Sequence, residues 1–155
     1  SLNDFLELAP SAEPLCSSIA KMVSVDDIAV RPARGLADDE QLSLGSHQLR
    51  WIYTPHFPHA WECGHLFETT TKTLFCGDLF TQGGHEHEPL TTGDILESSE
   101  DMRSALDYFS HTRLVSELAE KLAITSPRIL ACMHGAAWKG DGAMLLRQLA
   151  NRLAG

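Results

Sequence analysis

The sequence has no cysteine pair at CxxC spacing; its four cysteines stand at positions 16, 63, 76 and 132. That excludes a structural zinc knuckle, which needs thiolates grouped within reach of one ion. Positive charge is scarce, with 12 Lys and Arg against 21 Asp and Glu and a formal net charge of -9. A nucleic-acid partner needs a basic face to displace the counterions on its phosphates, so none is expected. No apolar run approaches the roughly 18 residues of a membrane-spanning helix, and no membrane partner is expected. The opening Ser1-Leu2-Asn3-Asp4 has neither the basic segment nor the apolar core of a secretory signal. Repeats, low-complexity runs and linkers are absent too. What remains reads as one cytoplasmic α/β domain over residues 1–155, with reduced thiols. Cys76 and Cys132 lie in apolar runs and read as buried small hydrophobes. The chain opens on Ser1 rather than Met, so either its start was processed or it is a piece of a longer protein.

The hydrophobic pattern divides into strands early and helices late. Residues 1–10 read as a short helix stopped by Pro10, and Leu15-Cys16-Ser17 as a short strand followed by a helical turn to about Val23. The segment 32–39, polar with Pro and Gly, reads as loop. Gln41–Leu44 and Gln48–Tyr53 pair around Gly45-Ser46, with Leu49, Trp51 and Tyr53 on one face by period-two alternation. His65–Thr70 and Thr73–Gly77 form a hairpin around Thr71-Lys72, and 81–93 is a polar loop. Ser98 is the expected N-cap of a helix whose Met102, Ala105, Leu106 and Phe109 form a core stripe. A second helix carries Leu114, Val115, Leu118 and Leu122 and ends before Pro127. Arg128–Met133 reads as a strand buried on both faces. Asp141 caps a last helix with Leu145, Leu146, Leu149 and Leu153 inward. Strands, two helices, a strand and a helix make a layered α/β architecture.

Three apolar, strand-like runs end in metal-capable side chains: Thr54-Pro55-His56, Phe75-Cys76-Gly77-Asp78 and Cys132-Met133-His134. Strand ends hold ligands in fixed directions, so three of them suggest one site at a sheet edge. Imidazole and carboxylate together suit zinc or iron. A carboxylate has two oxygens and can bridge two ions, which a neutral imidazole cannot. Asp78 is therefore the natural bridge and the catalytic residue, with His56 and His134 each on one metal. His59 is placed outside this ligand set. Glu62 reads as a strand-edge surface residue, with orientation of a nearby imidazole as the alternative. His85-Glu86-His87-Glu88 reads as a solvated acidic loop, the alternative being a loop that lends a ligand. His47, His65 and His111 read as surface or strand histidines, and Trp138 and Lys139 as pocket-lining or loop-packing residues.

Thr-Pro-His-x-Pro before a hairpin, Leu-Phe-x-Gly-Asp-Leu-Phe at its end and a strand ending in His-Gly near a C-terminal helix resemble the metallo-β-lactamase superfamily. The His-Phe-Pro and His-Gly forms are most similar to its flavodiiron, oxygen-reducing branch. The resemblance runs from Phe5 through the last helix. It implies a metallo-β-lactamase-like αβ/βα sandwich with a two-metal site of zinc or iron at the sheet edges. It also implies that His56, Asp78 and His134 occupy the later three ligand positions. The first ligand motif, His-x-(His or Glu)-x-Asp, would precede the helix that opens this chain, so the domain is expected to be N-terminally incomplete and its metal site a half site.

Two activities follow from the resemblance. One is a metal-dependent hydrolase that activates water on a dinuclear centre toward a small-molecule substrate. The other is a flavodiiron-like protein that binds oxygen or nitric oxide, which needs an electron donor. A non-enzymatic folding or dimer module is the third reading. The missing part should cover one sheet edge, and an uncovered apolar edge invites pairing with another copy, so a homo-oligomer is expected.

Overall fold

The computed structural model describes residues 1–154. Its organising element is a seven-stranded sheet in the order β3-β4-β5-β6-β8-β9-β7. The strands are β3 (Gln41–Leu44), β4 (His47–Tyr53), β5 (Gly64–Glu68), β6 (Thr73–Gly77), β7 (Leu90–Thr91), β8 (Ile129–Cys132) and β9 (Ala137–Lys139). From β3 to β6 the chain runs as an antiparallel meander, each strand returning beside the last. β6 then pairs in parallel with β8, across the long crossover that holds α4 (Leu96–Leu106) and α5 (Val115–Ala123). The last helix, α6 (Gly142–Leu153), packs against α5.

Ahead of this layer the chain builds a smaller unit. It comprises α1 (Leu2–Leu8), β1 (Leu15–Ser17), β2 (Arg34–Leu36) and a helical stretch between the two strands. That stretch starts as α2 (Ser18–Ala20), widens into a π-type turn over Lys21–Val25 and ends as α3 (Asp26–Ile28). β1 and β2 pair in parallel as a separate two-stranded sheet. β2 lies in the segment read from sequence as loop. A three-residue strand is too short to show alternation, and Gly35 is where it passes Ser18 so closely that a Cβ would come 2.9 Å from that hydroxyl.

The sheet has two unlike faces. Ile52, Phe67, Leu74, Cys76 and Leu130 point to the helices and form the core with Leu118, Leu122, Leu146 and Leu149, all at most 5% exposed. The opposite face carries Leu42, Leu49, Trp51, Leu66 and Phe75, which lie directly across from one another or two apart along a strand. It is only partly covered. Phe75 is 47% exposed, and an apolar groove of about 510 Å³ runs between this face and Leu15 and Leu36 of the small unit. The Trp51 indole lies on Gly64, where a Cβ would come within 2.3 Å of it. Its buried Nε1–H has no acceptor among the described residues.

The second helix, the last helix and both early hairpins lie where the periodicity places them. α4 differs. Its N-cap is Ile95, not Ser98, and Asp94 just before it accepts on Oδ1 from the Leu96 and Glu97 amides at 2.7 and 3.4 Å. It ends at Asp107 in a left-handed turn, before Phe109, so the expected stripe is split. Phe109 is buried, whereas Leu106 is 64% exposed. β8 is likewise less enclosed than its apolar run suggests: Leu130 is fully buried, but Ala131 and Cys132 are half-buried. No helix among the described residues is long and apolar enough to cross a membrane.

Candidate metal centre

The ends of β6 and β8 lie side by side because the two strands are parallel neighbours, with Gly77 opposite Cys132. Asp78, directly after Gly77, and His134, two residues after Cys132, leave the sheet at the same edge. His134 Nε2 stands 3.4 Å from Asp78 Oδ1. The other carboxylate oxygen, Oδ2, accepts from His59 Nε2 at 2.9 Å. Asp78 therefore has an imidazole on each of its two oxygens. The group is open to solvent on one side, with His59 and His134 side chains 45% and 58% exposed and Asp78 28% exposed.

His56 lies elsewhere. It is exposed, takes a positive φ of 64°, and makes no side-chain hydrogen bond among the described residues. The turn responsible is tight: the His56 amide donates to Ala60 O at 2.8 Å, and Ala60 also has a φ of 64°. This reversal turns His56 outward and brings His59 onto Asp78. Of the three expected ligands, Asp78 and His134 are brought together and His56 is not.

Further residues hold the arrangement, Tyr108 and Gln82 among them without any signal in the sequence. Tyr108 donates its hydroxyl to Asp78 O at 3.0 Å and stands edge-on to the His59 ring. Gln82 is buried and ties the loop after Asp78 to the loop after His134. Its Nε2 donates to Ala136 O at 3.1 Å, its Oε1 accepts from Ala136 N at 3.2 Å, and its amide donates to His134 O at 3.1 Å. Gly135 makes room for it: φ is +98°, and a Cβ there would lie 2.6 Å from Gln82 Cβ. Behind the His59 turn, Thr54 and His65 are both buried. Thr54 Oγ1 pairs with His65 Nδ1 at 2.9 Å, and His65 Nε2 with Cys76 O at 3.2 Å. Of the two readings offered for His65, strand rather than surface holds; burial pushes its pKa down to about 4 and keeps the ring neutral. Burial likewise pushes the Cys63 thiol up to about 11.

The segment holding His85 and His87 lines a cavity of about 590 Å³ beside His134, together with Met102, Leu106 and Met133. His87 Nε2 is engaged with Gly83 O at 2.9 Å. Leu106, exposed on its helix, is thus a wall of this cavity rather than core. Glu62 makes no side-chain hydrogen bond among the described residues. Trp138 packs inward and donates to Gly93 O at 2.9 Å, while Lys139 lies in a separate groove near Lys72 and Arg128.

A carboxylate flanked by two imidazoles is a donor set of the kind zinc and iron take. Among the described residues, no group of three or more His, Cys, Asp and Glu side chains gathers closely enough to hold an ion by itself. The residues fit a metal pair in kind, an oxygen and a nitrogen on each side of Asp78, but not in number.

No family model matches the chain, and no curated protein matches it. Solved structures do. A flavo di-iron protein from Thermotoga maritima, in a point-mutant form, superposes with a TM-score of 0.78 at 17% identity, over 96% of this chain and 38% of its own. A putative diflavin flavoprotein A 5 from Nostoc sp. PCC 7120 gives 0.78 at 18% identity, over 97% of this chain and 60% of its own. The apo chemotaxis sensor ODP from T. denticola gives 0.70 at 21% identity, over 93% and 59%. A second structure, of the peroxy diiron species of chemotaxis sensor ODP, gives 0.70 at 22% identity, over 93% of this chain and 60% of its own. This chain therefore spans between 38% and 60% of the length of these relatives in fold. The fold is of the metallo-β-lactamase type, in the form seen in flavodiiron proteins.

Proposed function

We propose that this chain carries part of a di-iron centre that binds oxygen or nitric oxide, in the manner of the flavodiiron branch. The observation that carries the reading is the Asp78 carboxylate with an imidazole on each oxygen at the edge of a parallel strand pair. The di-iron descriptions of the structures sharing this fold favour it over the hydrolase.

Two iron ions, when bound, would supply the site for a diatomic ligand, and the electrons to reduce it would come from a separate donor. The chain's own side chains would hold and shape that site. Asp78 would bridge, His134 would serve one ion, and the 56–60 turn would present the second imidazole. His59, already on Asp78, stands ready for that role, and His56 of the same turn is the other candidate. The remaining coordination positions would fall to solvent or to donors outside this set. Tyr108 and Gln82 would fix the two loops, and the cavity beside His134 would admit a small molecule. Partial cover of the apolar sheet face supports a further part of the proposal, a second copy of the chain as partner.

The test is anaerobic loading with ferrous iron followed by gel filtration and exposure to air. Iron that stays with the protein and develops a visible absorption band in air supports the reading. Retention of zinc in preference to iron, with no such band, would return the chain to the hydrolase class.

A further inference from the structure

Cys76 ends the core-facing row of β6 and Cys132 that of β8, in neighbouring parallel strands. The register pairs Phe75 with Ala131 and Gly77 with Cys132, so Cys76 occupies the irregularity directly beside Cys132. Neighbouring strands lie about 4.8 Å apart, and a disulfide spans Cα separations of about 4.4 to 6.8 Å. Neither thiol is spent on a strong bond elsewhere, since each meets only the carbonyl two residues back, Leu74 O at 3.5 Å and Leu130 O at 3.8 Å. Their exposure differs: Cys76 is fully buried, Cys132 half-buried. Cys132 is thus the residue of the pair nearer to solvent. All four cysteines are free, and the register sets these two side by side.

We propose that Cys76 and Cys132 form a redox-active dithiol that a hydroperoxide oxidises to a disulfide. The Cys132 sulfur attacks one oxygen of hydrogen peroxide; an S–O bond forms, the O–O bond breaks, and the departing oxygen takes the thiol proton and leaves as water. The Cys76 sulfur then displaces the hydroxyl from Cys132. The S–S bond forms, the S–O bond breaks, and the hydroxyl leaves as a second water with the Cys76 proton. Two thiols are oxidised by two electrons and one peroxide is reduced. Cys132 acts first because the buried Cys76 has no route to the oxidant. The crosslink would clamp β6 to β8 two residues before Asp78 and His134, so it would change how freely those side chains move apart. That last consequence rests on the metal reading; the dithiol itself does not.

The test uses the metal-free protein, so its result is independent of any iron chemistry. The protein is treated with a small excess of hydrogen peroxide, alkylated and mapped by mass spectrometry. Four alkylated cysteines should fall to two, with Cys76 and Cys132 recovered as one crosslinked peptide pair that a dithiol reductant returns to the alkylatable form. Cys76→Ala should leave a Cys132 sulfenic acid that dimedone traps, and Cys16→Ser should leave the crosslink unchanged. A crosslink between another pair, or four alkylated cysteines after peroxide at a dose that oxidises free cysteine, would overturn the proposal. Because the mapping is done on the wild-type chain, a variant that fails to fold does not remove the test.

Discussion

Asp78 meets two imidazoles because the chain bends sharply on both sides of it, at Gly77 with φ 53° and Phe80 with φ 57°. At this scale the buried contacts behind the site decide more than its exposed ligands. Gly135→Ala places a methyl 2.6 Å from Gln82 Cβ and in a left-handed conformation. It should cost about 2 to 3 kcal/mol, read as a lower urea midpoint at unchanged slope. His65 titrates near 4 when folded and near 6.5 when unfolded. Between those values the unfolded chain binds the extra proton, so folding stability is full above about pH 6.5 and falls toward pH 4. The loss should amount to about 3 kcal/mol across that window, and His65→Gln should flatten the pH dependence of the unfolding free energy. Asp78 and His134 could be read from the sequence, because a strand end fixes where the next side chain goes. His59 could not. Its place depends on the hydrogen bond from His56 N to Ala60 O and two positive φ angles in that turn. Nothing in an alanine announces a positive φ, and a histidine, though it takes one more readily than most residues, seldom does.

Among elements, the helices separate by what they cover. α5 and α6 pack tightly on each other and on the sheet, and their stripes of Leu118, Leu122, Leu146 and Leu149 follow the helical period. That agreement made them legible. α4 has the same kind of stripe on paper, but Asp107 ends it early and Leu106 faces the cavity beside His134. The two outcomes differ in energy. Leu146→Ala should cost about 2 to 5 kcal/mol, because Leu146 is fully buried. Leu106→Ala, at 64% exposure, should cost no more than about 0.5 kcal/mol. Parallel chemical denaturation of the two variants checks this. The short strands β2, β7 and β9 escaped the sequence for a common reason. Two or three residues cannot display a period, and their pairing is set by neighbours far along the chain.

In the molecule as a whole, helices lie on one face of the large sheet and leave the other partly bare. Leu66, Trp51 and Phe75 on that face lie in register across three strands, and exposed apolar surface of this kind favours association. Sedimentation should therefore show self-association that grows with concentration and weakens in Phe75→Lys, whereas a monomer at every concentration would leave the face without a second copy as its partner. The apolar pattern of β4 to β6 was visible in the sequence, but which face the helices would take was not, because that depends on the handedness of the crossover to β8.

In the proposed centre Asp78 is the shared ligand of two ions. The most direct measurement is competition for ferrous iron between the metal-free protein and a chelator of known affinity, for the wild-type chain and for Asp78→Asn. Asn keeps the shape but loses the charge and one oxygen, so the variant should bind at least ~10-fold more weakly and lose its second equivalent of iron. Equal affinity and equal stoichiometry in the two proteins would contradict the account.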